Sequence, residues 1–281
     1  IFSCEKDKDN GNDDKTSFLV PVDFSSIQAA INASVNGDTI IVQPGIYNEN
    51  INFNGKGVIV RSSDPDDSEI VETTIIDGNY EGTVVTFNSG ETESAVLNGF
   101  TIRNGDAGTS DGGGILISNI SNPVIKNNII KNNAAKYGAG ICVSDQSQPL
   151  IDNNFFSANS AENSRGAGIY AINESSVTIT NNSFKDHSGV DGVIHIGSTY
   201  TDESSAVISN NTIDNNTTEF GTGGIKVTAV SSAEISDNII TNNTGSGDNS
   251  AGAITISKSS YALISDNTIT DNADKQNGAI V

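Results

Sequence analysis

The chain has 281 residues, a formal net charge of −21, two Cys, two His and neither Trp nor Met. Such an excess of carboxylates disfavours nucleic acid and anionic membrane surfaces as partners, because both carry charge of the same sign. Two Cys exclude a disulfide framework, two His exclude an imidazole-rich metal centre, and no run of residues reaches the ~18 apolar positions of a transmembrane helix.

Residues 1–17 form a polar lead-in that begins Ile1-Phe2-Ser3-Cys4 and continues with a run of Lys and Asp. An aliphatic residue, a variable one, a small one and then Cys resembles the end of a bacterial lipoprotein signal. The resemblance implies lipidation at Cys4, with residues 1–17 as a signal-peptide remnant and tether. It also implies a place on the bacterial cell surface or outer membrane, through a lipid anchor only, or in the extracellular medium.

Residues 18–45 carry the only helical signal in the chain and are predicted to form an N-terminal cap. Ser25 or Ser26 can accept hydrogen bonds from the free N–H groups at the start of a helix. A helix is therefore expected over Ile27–Ala33, followed by a first strand over Thr39–Val42. A short amphipathic helix at this position would cover the open apolar end of a stack of coils.

Residues 46–111 are interpreted as two irregular coils whose strands alternate with acidic, Gly-rich loops. The loops at residues 64–67, 77–79 and 106–114 offer the carboxylate and carbonyl oxygens that Ca²⁺ takes as ligands. The strict nonapeptide of calcium-binding β-rolls is absent. Calcium is therefore the one cofactor that this region suggests, and the metal content stays open.

Between Gly112 and Val281 one unit recurs six times and begins a seventh. Each unit contains an Asn-Asn or Asp-Asn pair, and the second residue of the pair recurs every 26 to 29 residues: Asn128, Asn154, Asn182, Asn211, Asn238 and Asn267. A period in this range is typical of repeat architectures. We expect these pairs to form tight left-handed turns and to stack their amides from coil to coil. The chain stops inside the seventh unit without a polar cap, so a truncated C-terminus is expected.

Short β-branched runs in period-2 alternation fill each unit, and none carries an apolar stripe of helical period. Alternation predicts three inward columns along the stack. The first is Ile115, Ile141, Ile169, Ile194, Ile225 and Ile254; the second is Ile125, Ile151, Ile179, Ile208, Ile235 and Ile264; the third is Ile130, Phe156, Phe184, Ile213, Ile240 and Ile269. The predicted fold is all-β: a monomeric, single right-handed parallel β-helix over 18–281, with about eight coils, three short strands per coil and regular repeats over 112–281.

The cap and the repeats together resemble the pectin-lyase-like β-helix superfamily, which includes pectate lyases, pectin methylesterases, polygalacturonases and many surface proteins. The resemblance covers the chain after Thr16 and implies the fold, with an extracellular polysaccharide as the expected partner. If the protein is an enzyme, a polysaccharide lyase or glycoside hydrolase is implied. Gly45-Ile46-Tyr47-Asn48-Glu49 also matches a pectin methylesterase motif, but that family's Asp- and Arg-bearing segments are absent. We interpret it as a turn leaving the first strand.

The outward side of the first strand in each unit carries the candidate catalytic site. Because Ile115 and its equivalents point inward, the next residue of each coil is expected on a solvated face: Leu116, Cys142, Tyr170, His195, Lys226 and Thr255. Tyr170, His195 and Lys226 are consecutive and of types used in acid–base catalysis. In a β-elimination, Lys226 would offset a uronate carboxylate and His195 would take the C5 proton. Tyr170 would protonate the leaving oxygen or stack on a sugar. Cys142 has no basic neighbour in sequence and is interpreted as an inert thiol.

Three functions are compatible with these patterns. The first is a cell-surface lipoprotein whose β-helix face binds or cleaves polysaccharide. The net charge opposes an anionic polymer, so a neutral glycan or a bridging Ca²⁺ is equally compatible. The second function is a non-catalytic adhesin or structural surface spacer. A remote third is ice binding, for which Thr178, Thr180, Thr268 and Thr270 are suitably placed but the intervening coils are not.

Overall fold

Parallel strands stacked along one axis make up nearly all the regular structure in a computed structural model, which describes residues 16–161, 165–189, 191–197, 203–218, 220–248, 250–274 and 278–281. In these residues the strands form four sheets, and each strand pairs with its equivalents one coil earlier and one coil later. The predicted all-β right-handed parallel β-helix of about eight coils is confirmed. Residues 1–15, with the proposed lipidation site Cys4, lie outside the described residues.

The four sheets are numbered in the order in which one coil passes through them. Sheet 1 has ten strands: Ser17–Val20, Thr39–Val42, Ile59–Ser62, Val96–Asn98, Val124–Lys126, Leu150–Asp152, Ser176–Thr180, Ser205–Ser209, Ser232–Ser236 and Tyr261–Ser265. Sheet 2 has nine: Gly45–Asn48, Thr74–Asp77, Thr101–Arg103, Ile129–Lys131, Phe155–Ser157, Ser183–Lys185, Thr212–Asp214, Ile239–Thr241 and Thr268–Thr270. Sheet 3 has six: Ala134–Ala135, Ser160–Ala161, Ser188–Gly189, Thr217–Thr218, Thr244–Gly245 and Ala273–Asp274. Sheet 4 has eight: Ile51–Asn52, Val85–Phe87, Ile115–Ile117, Ile141–Val143, Ile169–Ala171, Ile194–Ile196, Ile225–Val227 and Ile254–Ile256.

Sheets 1, 2 and 4 are the three strands per coil that alternation predicts, and sheet 3 is an addition. Its strands have two residues each, too short for an alternating pattern to be visible in the sequence. The three predicted inward columns are confirmed, because their members are direct register partners along sheets 4, 1 and 2. They belong to one continuous core. Each fully buried Ile or Phe contributes roughly 1.5–3 kcal/mol, offset by the entropy of ordering the coil.

The predicted asparagine ladder lies between sheets 1 and 2, and the two residues of each pair have different roles. The first residue takes the left-handed backbone, with φ of 55° at Asn127 and 57° at Asn181. The second buries its amide: Asn154 Nδ2 donates to Asn182 Oδ1 at 3.0 Å, and Asn182 Nδ2 donates to Asn211 Oδ1 at 3.1 Å. The ladder therefore satisfies buried polar groups at every turn.

A second ladder separates sheet 2 from sheet 3 and was not predicted from the sequence. It runs through Asn133, Asn159, His187, Asn216, Asn243 and Asn272. His187 replaces the amide at one rung, with Nε2 at 3.3 Å from Asn159 Nδ2 and Nδ1 at 3.0 Å from Asn216 Oδ1. Burial lowers the pKa of His187 to about 4. The neutral ring with its proton on Nδ1 fits both partners.

Helix α1, Ile27–Ala33, lies as predicted, and Ser26 is its N-cap, accepting a hydrogen bond from Ala29 N at 3.1 Å. Its apolar face is buried in the core at the N-terminal end of the solenoid. The interpretation of residues 45–49 as a turn is wrong, because Gly45–Asn48 is a strand of sheet 2. Glu49 accepts hydrogen bonds from the N–H groups of Ile27 and Gln28, both at 2.9 Å. Its carboxylate thus stabilises the start of α1.

A second helix, α2, spans Ser68–Thr73, so the expectation of a single helical segment is wrong. Asp67 caps it by accepting a hydrogen bond from Glu69 N at 2.9 Å. The helix lies on the outer face of sheet 2, where Thr101 Oγ1 donates to Val71 O at 3.0 Å. Six residues are too few for a recognisable helical stripe, and the tertiary contact with sheet 2 holds the segment in place.

Candidate functional site

The residues of the predicted catalytic ladder are neighbours along sheet 4. Tyr170 pairs with His195 and His195 pairs with Lys226 in the parallel register. Leu116, Cys142 and Thr255 extend the same column. The rings of Tyr170 and His195 meet edge to face, with centroids 5.3 Å apart. The prediction that these side chains come together on adjacent coils is confirmed.

Their predicted exposure to solvent is wrong for four of the six residues, and Leu116 and Lys226 are half-buried. Tyr170 is only 3% exposed, and Cys142, His195 and Thr255 are completely buried. The cover is the segment that leads into each strand of sheet 4. Tyr137, from one such segment, stacks on Tyr170 with ring centroids 5.2 Å apart.

Glycine permits this close cover. The backbone of Gly138 (φ +60°) lies against Cys142, where a Cβ on the glycine would stand 2.8 Å from the Cβ of Cys142. Gly166 (φ +66°) lies against Tyr170 in the same way, also at 2.8 Å. A larger residue at either position would clash and would have to adopt a left-handed backbone. In the first three repeats Gly112, Gly138 and Gly166 therefore lie close over the outer face of sheet 4, and the equivalent positions of the next three repeats are Asp191, Thr222 and Ala251.

The electrostatics of the ladder follow from this burial. Burial lowers the pKa of His195 to about 4, although the neighbouring Asp191 opposes the effect. Its Nδ1 lies 3.0 Å from Asp191 O, and Nε2 has no hydrogen-bond partner in the described part of the chain. Lys226 Nζ is paired with Asp191 Oδ2 at 2.9 Å. Burial also raises the pKa of Tyr170 to about 12, although a hydrogen bond with Arg165 acts to lower it.

This arrangement does not suit a β-elimination. His195 is neutral at physiological pH but completely buried, so a substrate proton cannot come within hydrogen-bonding distance of it unless the cover moves. Tyr170 is held protonated beneath Tyr137, and the ammonium of Lys226 is neutralised by Asp191. Burial raises the pKa of Cys142, and the nearby carboxylates of Asp111 and Asp145 raise it further. The thiol is inert, as predicted.

The acidic loops use several of their carboxylates in local bonds. Asp77 Oδ2 accepts from Arg103 Nε at 2.7 Å, and Asp64 and Asp106 each accept from a backbone N–H two residues on. In the described ranges, no three His, Cys, Asp or Glu side chains are grouped as a metal site. Calcium binding remains a prediction from the sequence.

The Thr residues of the ice-binding alternative lie on different faces. Thr178 and Thr180 belong to sheet 1, whereas Thr268 and Thr270 belong to sheet 2. The rung after Thr178 holds Val207 in the same column. A single flat Thr array is therefore absent from these faces.

An open groove lies instead on the outer face of sheet 2, where α2 forms one wall. We call it the α2 groove, and its volume is about 570 Å³. Ile129 and Phe155 form an apolar floor, Val71 adds an apolar patch on the helix wall, and Phe155 is 39% exposed. Thr101, one coil earlier, is buried beneath α2. The groove is therefore the place where the cover of the helix ends and the sheet becomes accessible.

The rim of the α2 groove is polar and carries both signs of charge. Asp66 and Glu72 lie on the helix side, and Lys131 lies on the sheet side with the amides of Asn127 and Asn153. The groove combines an exposed aromatic ring, aliphatic surface and convergent polar groups, which is the composition of a small-molecule or oligosaccharide site. A signal for it was present in the sequence: Ile129 and Phe155 are large apolar residues at outward positions where most later coils have Ser or Thr.

The comparisons with known proteins identify the family. The family model of a right-handed β-helix region matches residues 18–184 and 113–281. The chain belongs to this family. Membership in the right-handed β-helix family supports a carbohydrate-active or surface repeat protein in general terms. No curated protein and no solved structure matches the chain. Of the two helices in the described residues, neither has the length and apolarity needed to cross a membrane.

Proposed function

We propose that this right-handed β-helix is a cell-surface lipoprotein that binds a polysaccharide without cleaving it. The observation that carries the proposal is Phe155, whose ring is exposed on the floor of a groove walled by α2. A loop-walled groove is what distinguishes a binding face from the bare face of a spacer. The α2 groove has the size range of ligand sites in proteins.

The chemistry of the groove favours a neutral glycan. A pyranose ring has an apolar C–H face that stacks on an aromatic side chain and a hydroxyl edge that needs hydrogen-bond partners. Phe155 supplies the first. Lys131 and the remaining hydrogen-bonding capacity of Asn127 and Asn153, whose amides also bond to each other with Asn153 Nδ2 2.7 Å from Asn127 Oδ1, supply the second. Asp66 and Glu72 outweigh Lys131 in charge, and the net charge of −21 repels polyanions at longer range. Uronate polymers are therefore disfavoured as ligands.

Binding is favoured over cleavage because the candidate catalytic residues are buried. His195 and Tyr170 lie under the segments that lead into sheet 4, and Lys226 is paired with Asp191. The described residues of the α2 groove include Asp66 and Glu72, which lie on one wall. Glycoside hydrolysis needs two carboxyl groups on either side of the scissile bond, so this one-sided pair favours a binding role.

The test is calorimetric titration with neutral gluco- and manno-oligosaccharides of two to six units. Phe155→Ala removes the stacking surface and is expected to weaken binding at least tenfold. Ile239→Ala is the matched control, since Ile239 is an exposed apolar residue in the same outward column but lies outside the groove. Equal affinities for the two variants would place the ligand elsewhere. Absence of binding to any glycan in the panel would favour the spacer function.

Cleavage is tested on the same protein with uronate polymers. A β-elimination produces an unsaturated sugar that absorbs near 235 nm, and we expect no such product. Product formation that is lost in His195→Ala would overturn the proposal and restore the ladder of sheet 4 as the active site.

The lipid anchor is tested by comparing the two cysteines of the chain. Expressed behind a lipoprotein signal peptide, the protein should incorporate radiolabelled palmitate and fractionate with membranes. Cys4→Ala is expected to abolish both, and Cys142→Ala to retain both, because the Cys142 thiol is buried. Retention of label in Cys4→Ala would refute the anchor.

A further inference from the structure

A straight trench runs along the outer face of sheet 1 through its last four strands. These strands have five residues each, of which three point outward and two inward, and the trench lies over the first inward column, between the first two outward columns. The side chains of this inward column become smaller along the axis, from Val177 to Ala206, Ala233 and Ala262. The trench has a volume of about 520 Å³. Its four strands are separated by three spacings of ~4.8 Å, which give it a length of roughly 14 Å along the solenoid axis.

The two walls of the trench differ in chemistry. One wall consists of the hydroxyls of Ser176, Ser205 and Ser232. Ser205 Oγ donates to Ser176 Oγ at 2.9 Å, so the column is already ordered. The opposite wall consists of Val207, Glu234 and Leu263, and the Leu263 side chain is 64% exposed. The trench is therefore polar on one side and mainly apolar on the other.

Tyr261 lies at the end of the serine wall, on the last strand of sheet 1 in the described chain, with 70% of its surface exposed. Its ring offers a stacking face and its hydroxyl a hydrogen-bond donor and acceptor. Tyr261, Leu263 and Val207 together form an exposed apolar patch on this face of an acidic chain. The arrangement of ring, hydroxyl column and aliphatic wall repeats the chemistry of the α2 groove with different residues.

We propose that this trench is a second glycan-binding site, which takes a short neutral oligosaccharide lying along the solenoid axis. The serine hydroxyls bind the hydroxyl edge of the sugars, and Val207, Leu263 and Tyr261 contact their C–H faces. Glu234 is the only charged residue among those that line the trench in the described chain. A polyanion would meet this carboxylate with no cation beside it, so a neutral ligand is selected.

A second copy of the chain is the competing occupant, and the charges oppose it. Each copy has a net charge of −21 and would bring its own Glu234 to the contact. Charge of the same sign on both partners disfavours association. The proposal rests on the ligand class of the proposed function but not on the α2 groove, because the trench lies on sheet 1 and shares no residue with the groove.

The decisive variants are Ser232→Tyr and Ser236→Tyr. Both serines are half-buried, outward residues of the strand Ser232–Ser236, but only Ser232 lines the trench. Titration of the wild-type protein with neutral oligosaccharides of two to six units is expected to show two sites. Ser232→Tyr fills the trench and should remove one of them, whereas Ser236→Tyr should leave both. Tyr261→Ala should weaken the same site at least tenfold.

The background variant Phe155→Ala separates this proposal from the proposed function. If it leaves one site that Ser232→Tyr then abolishes, both proposals stand. A site that is lost in Ser232→Tyr but unaffected by Phe155→Ala supports the trench and refutes the α2 groove. A single site that disappears with Phe155→Ala alone refutes the trench. Sedimentation that shows a dimer broken by Ser232→Tyr, without glycan binding at that site, assigns the trench to self-association and overturns the proposal.

Discussion

The outer faces of sheet 4 and sheet 2 come from the same strand alternation, but they differ in what lies above them. On sheet 4, Cys142 and His195 point away from the core and are completely buried. On sheet 2, Phe155 and Ile239 point away from the core and are exposed. One face is closed to ligands along most of its length, and the other is open except beneath α2.

The difference comes from the connections. The sheet 4 strands Ile141–Val143 and Ile169–Ala171 are entered through segments that pass over the face of the sheet, with Gly138 and Gly166 in contact with outward side chains. From Ile129–Lys131 onward, the strands of sheet 2 are entered and left through tight turns whose amides, such as Asn128 and Asn133, are buried inside the solenoid. In this protein a face is available for binding where the turns are tight, because a tight turn leaves no chain to cover it.

The largest expected effect tests whether the outer face of sheet 4 behaves as core. Cys142→Asp would bury a carboxylate near Asp111 and Asp145, whose negative charges already raise the pKa of the Cys142 thiol. We expect the free energy of unfolding to fall by about 3–5 kcal/mol. Ser183→Asp, at an outward position of sheet 2, should change it by no more than about 0.5 kcal/mol. Thermal midpoints of the two variants give the comparison, and similar midpoints would mean that the cover on sheet 4 opens readily.

A second prediction compares an inward and an outward residue at adjacent positions. Asn182→Ala removes the acceptor for Asn154 N and Nδ2 and the donors to Ile151 O and Asn211 Oδ1. Each group left unsatisfied costs about 1–3 kcal/mol, so a loss on the order of 3 kcal/mol is expected.

The control for this prediction is Ser183→Ala, which lies on the open face of sheet 2. It should be nearly neutral, because no partner is orphaned. Urea titrations followed by circular dichroism measure both changes. Equal midpoints would show that the ladder amides are hydrated rather than mutually satisfied.

The smallest effect per residue is the acid sensitivity of the two buried histidines. His187 and His195 have folded-state pKa values of about 4 because burial disfavours the imidazolium ion. A depressed pKa gives stability that is complete above the unfolded value near 6.5 and is lost as the pH falls towards 4. Each histidine should therefore cost about 2 kcal/mol between pH 7 and pH 5.

The matched variant is His187→Asn, which restores an amide to the second ladder. In the wild-type protein the His187 ring contacts Asn159 and Asn216, and the charged group that acts on it is Asp186. The loss of stability between pH 7 and pH 5 should shrink by about the share of one histidine. His195→Thr should shrink it similarly, in an environment of Asp191, Arg165 and Lys226. An unchanged pH profile in both variants would mean that the rings are protonated in the folded protein.

Much of the solenoid could be predicted because the patterns that specify it, strand alternation and paired asparagines, each extend over only a few residues. Period-2 alternation and a repeat of 26 to 28 residues predict the inward column of Ile125, Ile151 and Ile179. The Asn pairs declare both a left-handed turn and a ladder, and the register of all the predicted columns agrees with the structure. Ser26 and the stripe that follows it predicted α1 to the residue.

Other features had weaker signals. The second ladder contains His187 in place of Asn and follows Ala158 rather than Asn at one turn, so its pattern is broken. A column of buried Ser residues between sheets 4 and 1 was also missed, because Ser is common in exposed turns: Ser121, Ser147, Ser175, Ser204 and Ser231. Helix α2 was missed because six residues carry too little periodicity.

The sequence by itself determined the direction of each side chain, since direction depends on strand alternation over two or three residues. It determined the coil length and the inward columns for the same reason. Only the tertiary structure decided which outward residues meet solvent, because burial depends on segments that pass over a sheet. Tyr137 buries Tyr170 from the coil before, and α2 covers Thr101 from about 30 residues away. Alternation predicts neither contact. Covering segments of this kind bury the predicted site at His195, whereas Phe155 and Tyr261 have no such cover in the described residues and are exposed.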